Sequence, residues 1–222
     1  MFKSLVYKEW IKTRWFLLIL TLLGLLAVGN VFLKLQHNIT FNEANKYWYM
    51  ILFQNIIFYK SLKFVPLVIG VLIAIVQYVP EITNKRMKLT FHLPINENKI
   101  LMMMLAYGTI MLLLCYILLF LLYIGLGNTM LPKEIMQASL SSIFPWFMAG
   151  FAAYFLGALI TLEVIWKYRI AYFLAASAFI LFYFESGLSG SYALINGKLV
   201  ILTLLLSISL TFSAYRFRKG EM

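Results

Sequence analysis

Long apolar runs alternate with short charged segments along the chain, and most of the runs are long enough to cross a membrane. A helix needs roughly 20 apolar residues to cross the hydrocarbon core of a bilayer. The pattern predicts six spans, at residues 15–33, 56–79, 100–126, 142–162, 170–184 and 199–215. The last two runs are short and flank a segment rich in small residues. The main alternative is therefore five spans, in which these two runs behave as a re-entrant pair plus a span.

Residues 1–14 have a different pattern, in which apolar and charged positions separate onto two faces of a helix. The apolar residues at helical spacing are Phe2, Leu5, Val6 and Trp10. The cations are Lys3, Lys8, Lys12 and Arg14. One interpretation of this pattern is a short amphipathic helix in the inner membrane interface, with Lys3, Lys8, Trp10 and Arg14 as its interfacial residues. The alternative is a charged flank that stops the first span from sliding. The apolar stretch that follows is too long for a signal peptide, so we interpret it as an uncleaved first span.

An aromatic, apolar stretch at residues 47–59 precedes the second span. It either lies along the outer interface or extends the second span into one helix from Trp48 to Val79. Such a helix would be roughly 48 Å long, which exceeds the thickness of the hydrocarbon core. The sequence leaves both arrangements open.

Composition assigns most of the chain to the membrane. Of 222 residues, 63% are hydrophobic and 12% are charged, whereas a soluble domain carries about 25% charged residues. The net charge of +11 comes from cations beside the apolar runs, which indicates contact with anionic lipid head groups and no nucleic-acid partner. The predicted fold is an all-α polytopic membrane protein: an interfacial helix at residues 1–14 and a single transmembrane domain at residues 15–222.

The distribution of cations predicts the orientation of the spans. With six spans and the N-terminus inside, thirteen of the 19 Lys and Arg residues lie on the cytoplasmic side. Cytoplasmic loops of membrane proteins carry an excess of Lys and Arg. We therefore expect both termini to be cytoplasmic, in an integral protein of a bacterial cytoplasmic (inner) membrane.

The residues that catalysis or metal binding requires are scarce. The chain has no Asp, one cysteine (Cys115) and two histidines, His37 and His92, which the predicted topology places on opposite sides of the membrane. It has no H-E-x-x-H, no G-x-S-x-G and no phosphate-binding G-x-x-x-x-G-K-[ST] motif. The sequence therefore predicts no catalytic site, cofactor site or metal site in this chain. If the protein moves a substrate, another chain supplies the energy.

Small residues recur four positions apart in the apolar runs, at Gly70 and Ala74 and at Ala149, Ala153 and Gly157. This spacing lets helix backbones approach closely in lipid. Packing within the subunit is favoured over a dedicated dimer interface, because such stripes are common in helical bundles.

Residues 81–99 form a compact charged segment between two apolar runs. Pro80 is predicted to end the second span, and Glu81 to begin a short amphipathic helix that Pro94 stops. Such a helix offers a surface that another protein can bind and push. From the pattern alone, a basic loop that follows the positive-inside rule is favoured over this function.

A resemblance favours the functional interpretation. The matching pieces are the stretch K-E-W-I-K-T-R-W at residues 8–15, then Glu81, Arg86 and L-P-I at residues 93–95. They resemble the permease subunits of type-2 ABC exporters, in the first hundred residues and in the overall hydropathy layout. Two features differ from the family: Met87-Lys88 replaces a common Gly-Thr, and the segment between the fifth and sixth spans is short.

The resemblance implies a six-span subunit that pairs with a second copy or a paralogue. It also implies a cytoplasmic ABC ATPase subunit, which would hold ATP and Mg²⁺ and bind a coupling helix at residues 81–99. Glu81, Arg86, Lys88, His92 and Pro94 are the residues expected at that interface. The expected function is export or flipping of a hydrophobic or amphipathic compound. The alternatives are a membrane scaffold or sensor accessory that transports nothing, and a small intramembrane enzyme.

Overall fold

The part of the chain that the structure describes is almost entirely helical. A computed structural model describes residues 2–41, 49, 51, 53, 56–83, 97–163, 165–184 and 194–218. In these ranges there are no strands and six α-helices, with a short 3-10 helix at Lys60–Leu62. The α-helices are α1 (Phe2–Phe41), α2 (Val65–Thr83), α3 (Glu97–Met130), α4 (Lys133–Leu162), α5 (Trp166–Leu181) and α6 (Asn196–Arg218).

Four segments are long and apolar enough to cross a membrane: Lys3–Phe41, Lys60–Thr83, Lys99–Met130 and Lys133–Leu162. They coincide with the first four predicted spans and support an α-helical integral membrane protein. Helix α5 has 16 residues, and the described apolar part of α6 is Asn196–Ile208. Both are shorter than a full span, so the count of six is not confirmed, and neither is the alternative of five.

Helix α1 is longer than the predicted first span. It is one helix of 40 residues, about 60 Å long at 1.5 Å per residue, and it has no break near residue 14. The predicted boundary between an interfacial helix and the first span therefore does not coincide with a helix end. That the first turns lie in the membrane interface stays a prediction.

The second span begins later than predicted. Residues 56–59 are not helical and the 3-10 helix follows them, so α2 begins at Val65 and a single helix from Trp48 to Val79 is excluded. Pro66 is the second residue of α2. Proline suits the first turn of a helix, because its missing N–H has no partner there and its φ is already helical.

The second span also ends later than predicted. Pro80 lies inside α2, which continues to Thr83. A proline so close to a helix end removes one hydrogen bond without preventing the final turn. Glu81 therefore belongs to the last turn of α2, and the prediction that it begins a separate helix is wrong.

Helix α4 lies at the centre of the bundle. It begins at Lys133, directly after Pro132, nine residues before the predicted start. It packs against α2, α3, α5 and α6, whereas α1 packs against α2 and α3. In the most apolar window of α4, 72% of the residues are buried, compared with 33% in that of α1. Helix α4 is thus the core helix, and the outer helices leave wide apolar faces for lipid.

Glycines bring α2 and α4 into backbone contact. A Cβ atom on Gly70 would overlap the carbonyl group of Gly150, and one on Gly157 would lie 3.0 Å from the Cβ of Ala74. The interpretation of these small residues as packing positions within the subunit is confirmed at Gly70, Ala74 and Gly157.

Candidate functional site

Four charged residues meet where the start of α1 crosses the end of α2, and we call them the four-charge cluster: Lys8, Glu9, Lys12 and Glu81. The Lys8 Nζ atom lies 2.9 Å from Oε2 of Glu81, and the Lys12 Nζ atom lies 3.0 Å from its Oε1. Lys12 also lies 2.9 Å from Oε2 of Glu9. Lys8 and Lys12 are four residues apart on a helix, so both ammonium groups face the same side.

The cluster is electrically balanced and mostly buried. Glu81 is 1% exposed and Glu9 is 3% exposed, while the side chain of Lys8 is 35% exposed and that of Lys12 is 14% exposed. Burying a carboxylate without a partner costs several kcal/mol, and a hydrogen-bonded cation offsets much of that cost. Each buried carboxylate is therefore stable only while a lysine of α1 contacts it. For Glu81, these ion pairs hold the end of α2 against the first turns of α1.

A hydroxyl pair extends the polar contacts from α1 to α3. The Thr13 hydroxyl donates to the backbone carbonyl of Glu9 at 2.9 Å. Its oxygen lies 2.7 Å from the Tyr107 hydroxyl. Because the proton of Thr13 is already engaged, Tyr107 is the donor in the second bond. The start of α1 is thus tied to α2 by charges and to α3 by a neutral hydrogen bond.

Gln77 joins three helices in the interior. Its Nε2 atom donates to the backbone carbonyl of Met104 on α3 at 2.7 Å, and its Oε1 atom accepts from the Tyr154 hydroxyl on α4 at 2.8 Å. The Tyr78 hydroxyl lies 3.4 Å from that of Tyr154 and is the donor there, since Tyr154 donates to Gln77. Gln77 is fully buried, so these bonds replace the water that its amide would otherwise bind.

Gly108 leaves the space that this junction needs. A Cβ atom on Gly108 would overlap both the Tyr154 hydroxyl and Oε1 of Gln77. No larger residue fits on α3 at this point, because the side chains of α2 and α4 meet directly against its backbone.

The structure locates only some of the predicted site residues. Glu81 lies in the four-charge cluster, where its carboxylate binds this chain's own lysines. Its predicted contact with an ATPase is not tested. Arg86, Lys88, His92 and Pro94 lie outside the described residues.

The predicted interfacial residues differ in exposure. Lys3, Trp10 and Arg14 are exposed, whereas Lys8 is partly buried against Glu81. Lys8 therefore bonds within the protein, in addition to any contact with lipid.

Sequence reasoning missed most of the polar contacts. Glu9, Lys12 and Gln77 were not singled out as site residues, and neither were Thr13, Tyr107 and Tyr154. Two signals were present: Gln77 is a polar residue inside an apolar run, and Glu9 is one of only eight acidic residues in the chain. Neither signal identifies a partner, because the partners lie on other helices.

The polar groups of this site join helices to one another. Among the described residues, no group of three or more His, Cys, Asp or Glu residues could hold a metal ion. The carboxylates of the four-charge cluster are bound by cations, so they are poorly placed to act as bases. The arrangement can hold three helices together at one end of the bundle, and it can pass a displacement from α2 to α1.

Comparison with known proteins finds no protein-family model, curated protein or solved structure that matches this chain.

Proposed function

We propose that this protein is the membrane-spanning permease subunit of an ABC exporter. In this proposal a separate cytoplasmic ATPase subunit binds ATP and Mg²⁺, and the permease works as a dimer with a second copy or a paralogue. The resemblance described above supports the assignment, as do the apolar helices.

The observation that carries the proposal is the attachment of Glu81 to α1. Residues 84–96, which contain most of the proposed ATPase contact, follow the last turn of α2 directly. Glu81 is in that turn and is bound to both Lys8 and Lys12. A force on residues 84–96 would therefore act on α1 as well as on α2.

In the proposed mechanism, closure of the ATPase pair presses on the segment after α2. The four-charge cluster transmits the displacement to α1, and Gln77 transmits it to α3 and α4. Movement of these helices together shifts the equilibrium between inward-open and outward-open states. Each ATP-driven closure would then change the side of the membrane to which the substrate site opens.

The proposed substrate is a hydrophobic or amphipathic compound. The ion pairs of the four-charge cluster lie near one end of the bundle. Between α1 and α3, the described surface is formed mainly by leucine, methionine and tryptophan side chains. Such a surface suits a compound that moves through the lipid phase rather than a sugar or an ion.

The test is purification of the tagged protein from its native host, followed by assays of the purified complex. We expect an ABC ATPase, identified by mass spectrometry, to copurify in stoichiometric amount and to hydrolyse ATP. The variants His92→Ala and Pro94→Ala should copurify with less of this ATPase. The variant Glu134→Gln, which changes an exposed residue of α4, should copurify with the same amount. Absence of any ABC ATPase from the complex would refute the proposal.

The buried ion pairs also suit a second candidate, a membrane scaffold or sensor accessory that transports nothing. A scaffold needs helices that are held firmly together, and the four-charge cluster and Gln77 connect α1, α2, α3 and α4 in this way. This alternative predicts a bound ATPase without ATP-dependent movement of lipids or peptides across proteoliposomes. An intramembrane enzyme is the weakest of the alternatives, and activity that survives substitution of His37 and His92 would remove its most obvious catalytic candidates.

A further inference from the structure

A lateral groove runs between α1 and α3 on the outside of the bundle. It has a volume of about 610 Å³, within the roughly 300–1,000 Å³ range of small-molecule sites. Its walls include Leu18, Leu22, Leu114 and Leu118, all of which are exposed. Because the walls are exposed and apolar, the groove opens toward the lipid rather than into the bundle.

The groove has a cation at one end. Arg14 lines the groove together with Trp10 and Trp15, and its guanidinium group lies 5.7 Å from the ring centroid of Trp15. Among the described residues, the nearby carboxylates of Glu9 and Glu81 are bound to lysines, and Arg14 forms no ion pair. The guanidinium group is therefore free to bind an anion, and its planar shape matches the oxygens of a phosphate.

Apart from Arg14, the described side chains of the groove do not need a hydrogen bond from a ligand. The one hydroxyl group in its wall, that of Thr21, is engaged by the Leu17 carbonyl at 2.7 Å and lies 3.3 Å from Sγ of Cys115. From Arg14 to Leu25 the wall of α1 extends roughly 16 Å at 1.5 Å per residue. That length is about half of the roughly 30 Å hydrocarbon core, which is the depth of one leaflet.

We infer that this groove is a binding site for one anionic phospholipid, with its phosphate on Arg14 and an acyl chain between α1 and α3. The cation at the end, the apolar walls and the one-leaflet length match the parts of such a lipid in order. Trp10 and Trp15 border the head group, where the amphipathic indole ring is most favourable. The inference does not depend on the proposed transport function.

The test is lipid titration of the purified full-length protein in a neutral detergent, with bound lipids counted by native mass spectrometry. Phosphatidylglycerol and phosphatidylcholine with identical acyl chains are compared. We expect Arg14→Gln to weaken phosphatidylglycerol binding about tenfold, the low end of the contribution of one hydrogen bond to a charged group. The matched control is Lys34→Gln, an exposed cation near the other end of α1 that lies outside the groove, and it should leave binding nearly unchanged.

A second variant tests the acyl-chain part of the site. Leu114→Trp fills the groove while keeping Arg14, so it should reduce the binding of phosphatidylglycerol. Arg14 and Leu114 are both exposed, and an unchanged size-exclusion profile checks that each variant is folded.

Three outcomes would overturn the inference. Equal binding of the two lipids would show that the phosphate charge makes no specific contact. Equal losses for Arg14→Gln and Lys34→Gln would reduce the effect to general charge attraction. Disulfide crosslinking between copies at Leu22→Cys, in a Cys115→Ala background, would show that a second copy covers the groove.

Discussion

Glu81 illustrates how one buried charge positions two helices. Its carboxylate is 1% exposed and contacts two ammonium groups that belong to another helix. If α1 moved away, the carboxylate would be left without partners in a poorly hydrated environment, which is strongly unfavourable. The ion pairs of Glu81 with Lys8 and Lys12 therefore favour the packed arrangement of α1 and α2 over separated helices.

We predict that Glu81→Gln destabilises the protein by about 2 to 4 kcal/mol. The amide keeps the shape of the side chain but leaves Lys8 and Lys12 without their main counter-charge, and the partial exposure of the lysines limits the loss. Unfolding in mixed micelles, followed by circular dichroism, measures the effect. The control Glu134→Gln removes an exposed carboxylate from the first turn of α4. It should change the free energy of unfolding by less than about 1 kcal/mol, the usual limit for an exposed acid at a helix N-terminus. Equal effects of the two variants would contradict the prediction.

Gln77 permits a second prediction at the scale of residues. Gln77→Leu removes the partner of the Tyr154 hydroxyl and of the Met104 carbonyl, which are both in the interior. Leaving buried polar groups without partners costs about 1 to 3 kcal/mol. The same unfolding assay should show this loss for Gln77→Leu, and little change for Gln36→Leu on the exposed face of α1. A stability gain from Gln77→Leu would mean that the hydrogen bonds contribute less than the added apolar contact.

At the scale of elements, the contact between α2 and α4 depends on the absence of side chains. Gly150 lies against the Tyr116 hydroxyl and the carbonyl of Pro66, and these two groups are hydrogen-bonded to each other at 2.7 Å. An added methyl group would meet a hydrogen bond that joins α3 to the start of α2. Three helices would have to shift to accommodate it.

We therefore predict that Gly150→Ala lowers stability by about 1 to 3 kcal/mol, the usual range for overpacking. Gly125→Ala is the matched control, since a Cβ atom there meets nothing within 4 Å. It should be neutral or slightly stabilising, because alanine favours the helix over glycine. Thermal unfolding of both variants in the same detergent measures the difference. A Gly150→Ala protein as stable as Gly125→Ala would show that α2 and α4 can separate at little cost.

At the scale of the whole molecule, the start of α1, the end of α2 and the early part of α3 lie at the same end of the bundle. The ion pairs between Lys8 and Glu81 and the hydrogen bond between Thr13 and Tyr107 establish this. The first three helices therefore alternate in direction, as the predicted topology requires. The side of the membrane that this end faces stays a prediction from the cation distribution.

Thiol labelling tests that topology. Single cysteines at Lys3, Lys88 and Lys219, in a Cys115→Ala background, are exposed to a membrane-impermeant maleimide in intact and in permeabilised cells. With six spans and cytoplasmic termini, all three should react only after permeabilisation. Labelling of the cysteine at position 219 in intact cells would favour five spans. Labelling of the cysteine at position 88 in intact cells would place the proposed coupling segment outside and refute the ATPase contact.

The positions of the first four spans were predictable because hydropathy is a local property of the chain. A run of apolar residues must avoid water wherever it is, so the sequence locates the membrane helices without knowledge of their neighbours. Helix ends were predicted less well. Pro80 is a typical stop signal, yet α2 continues through it to Thr83. The last turn contains Glu81, whose partners are lysines of another helix.

The sequence by itself determined that this chain is a membrane protein, where its long apolar helices lie and that small residues allow them to approach. Only the tertiary structure decided which polar residues meet: Lys8 and Glu81 are 73 positions apart, and Gln77 and Tyr154 are 77 apart. The physical reason is that burial in lipid depends on each residue and its immediate neighbours. A charge or amide inside the bundle is stable only with a partner of matching geometry, and that partner is chosen by how the helices pack.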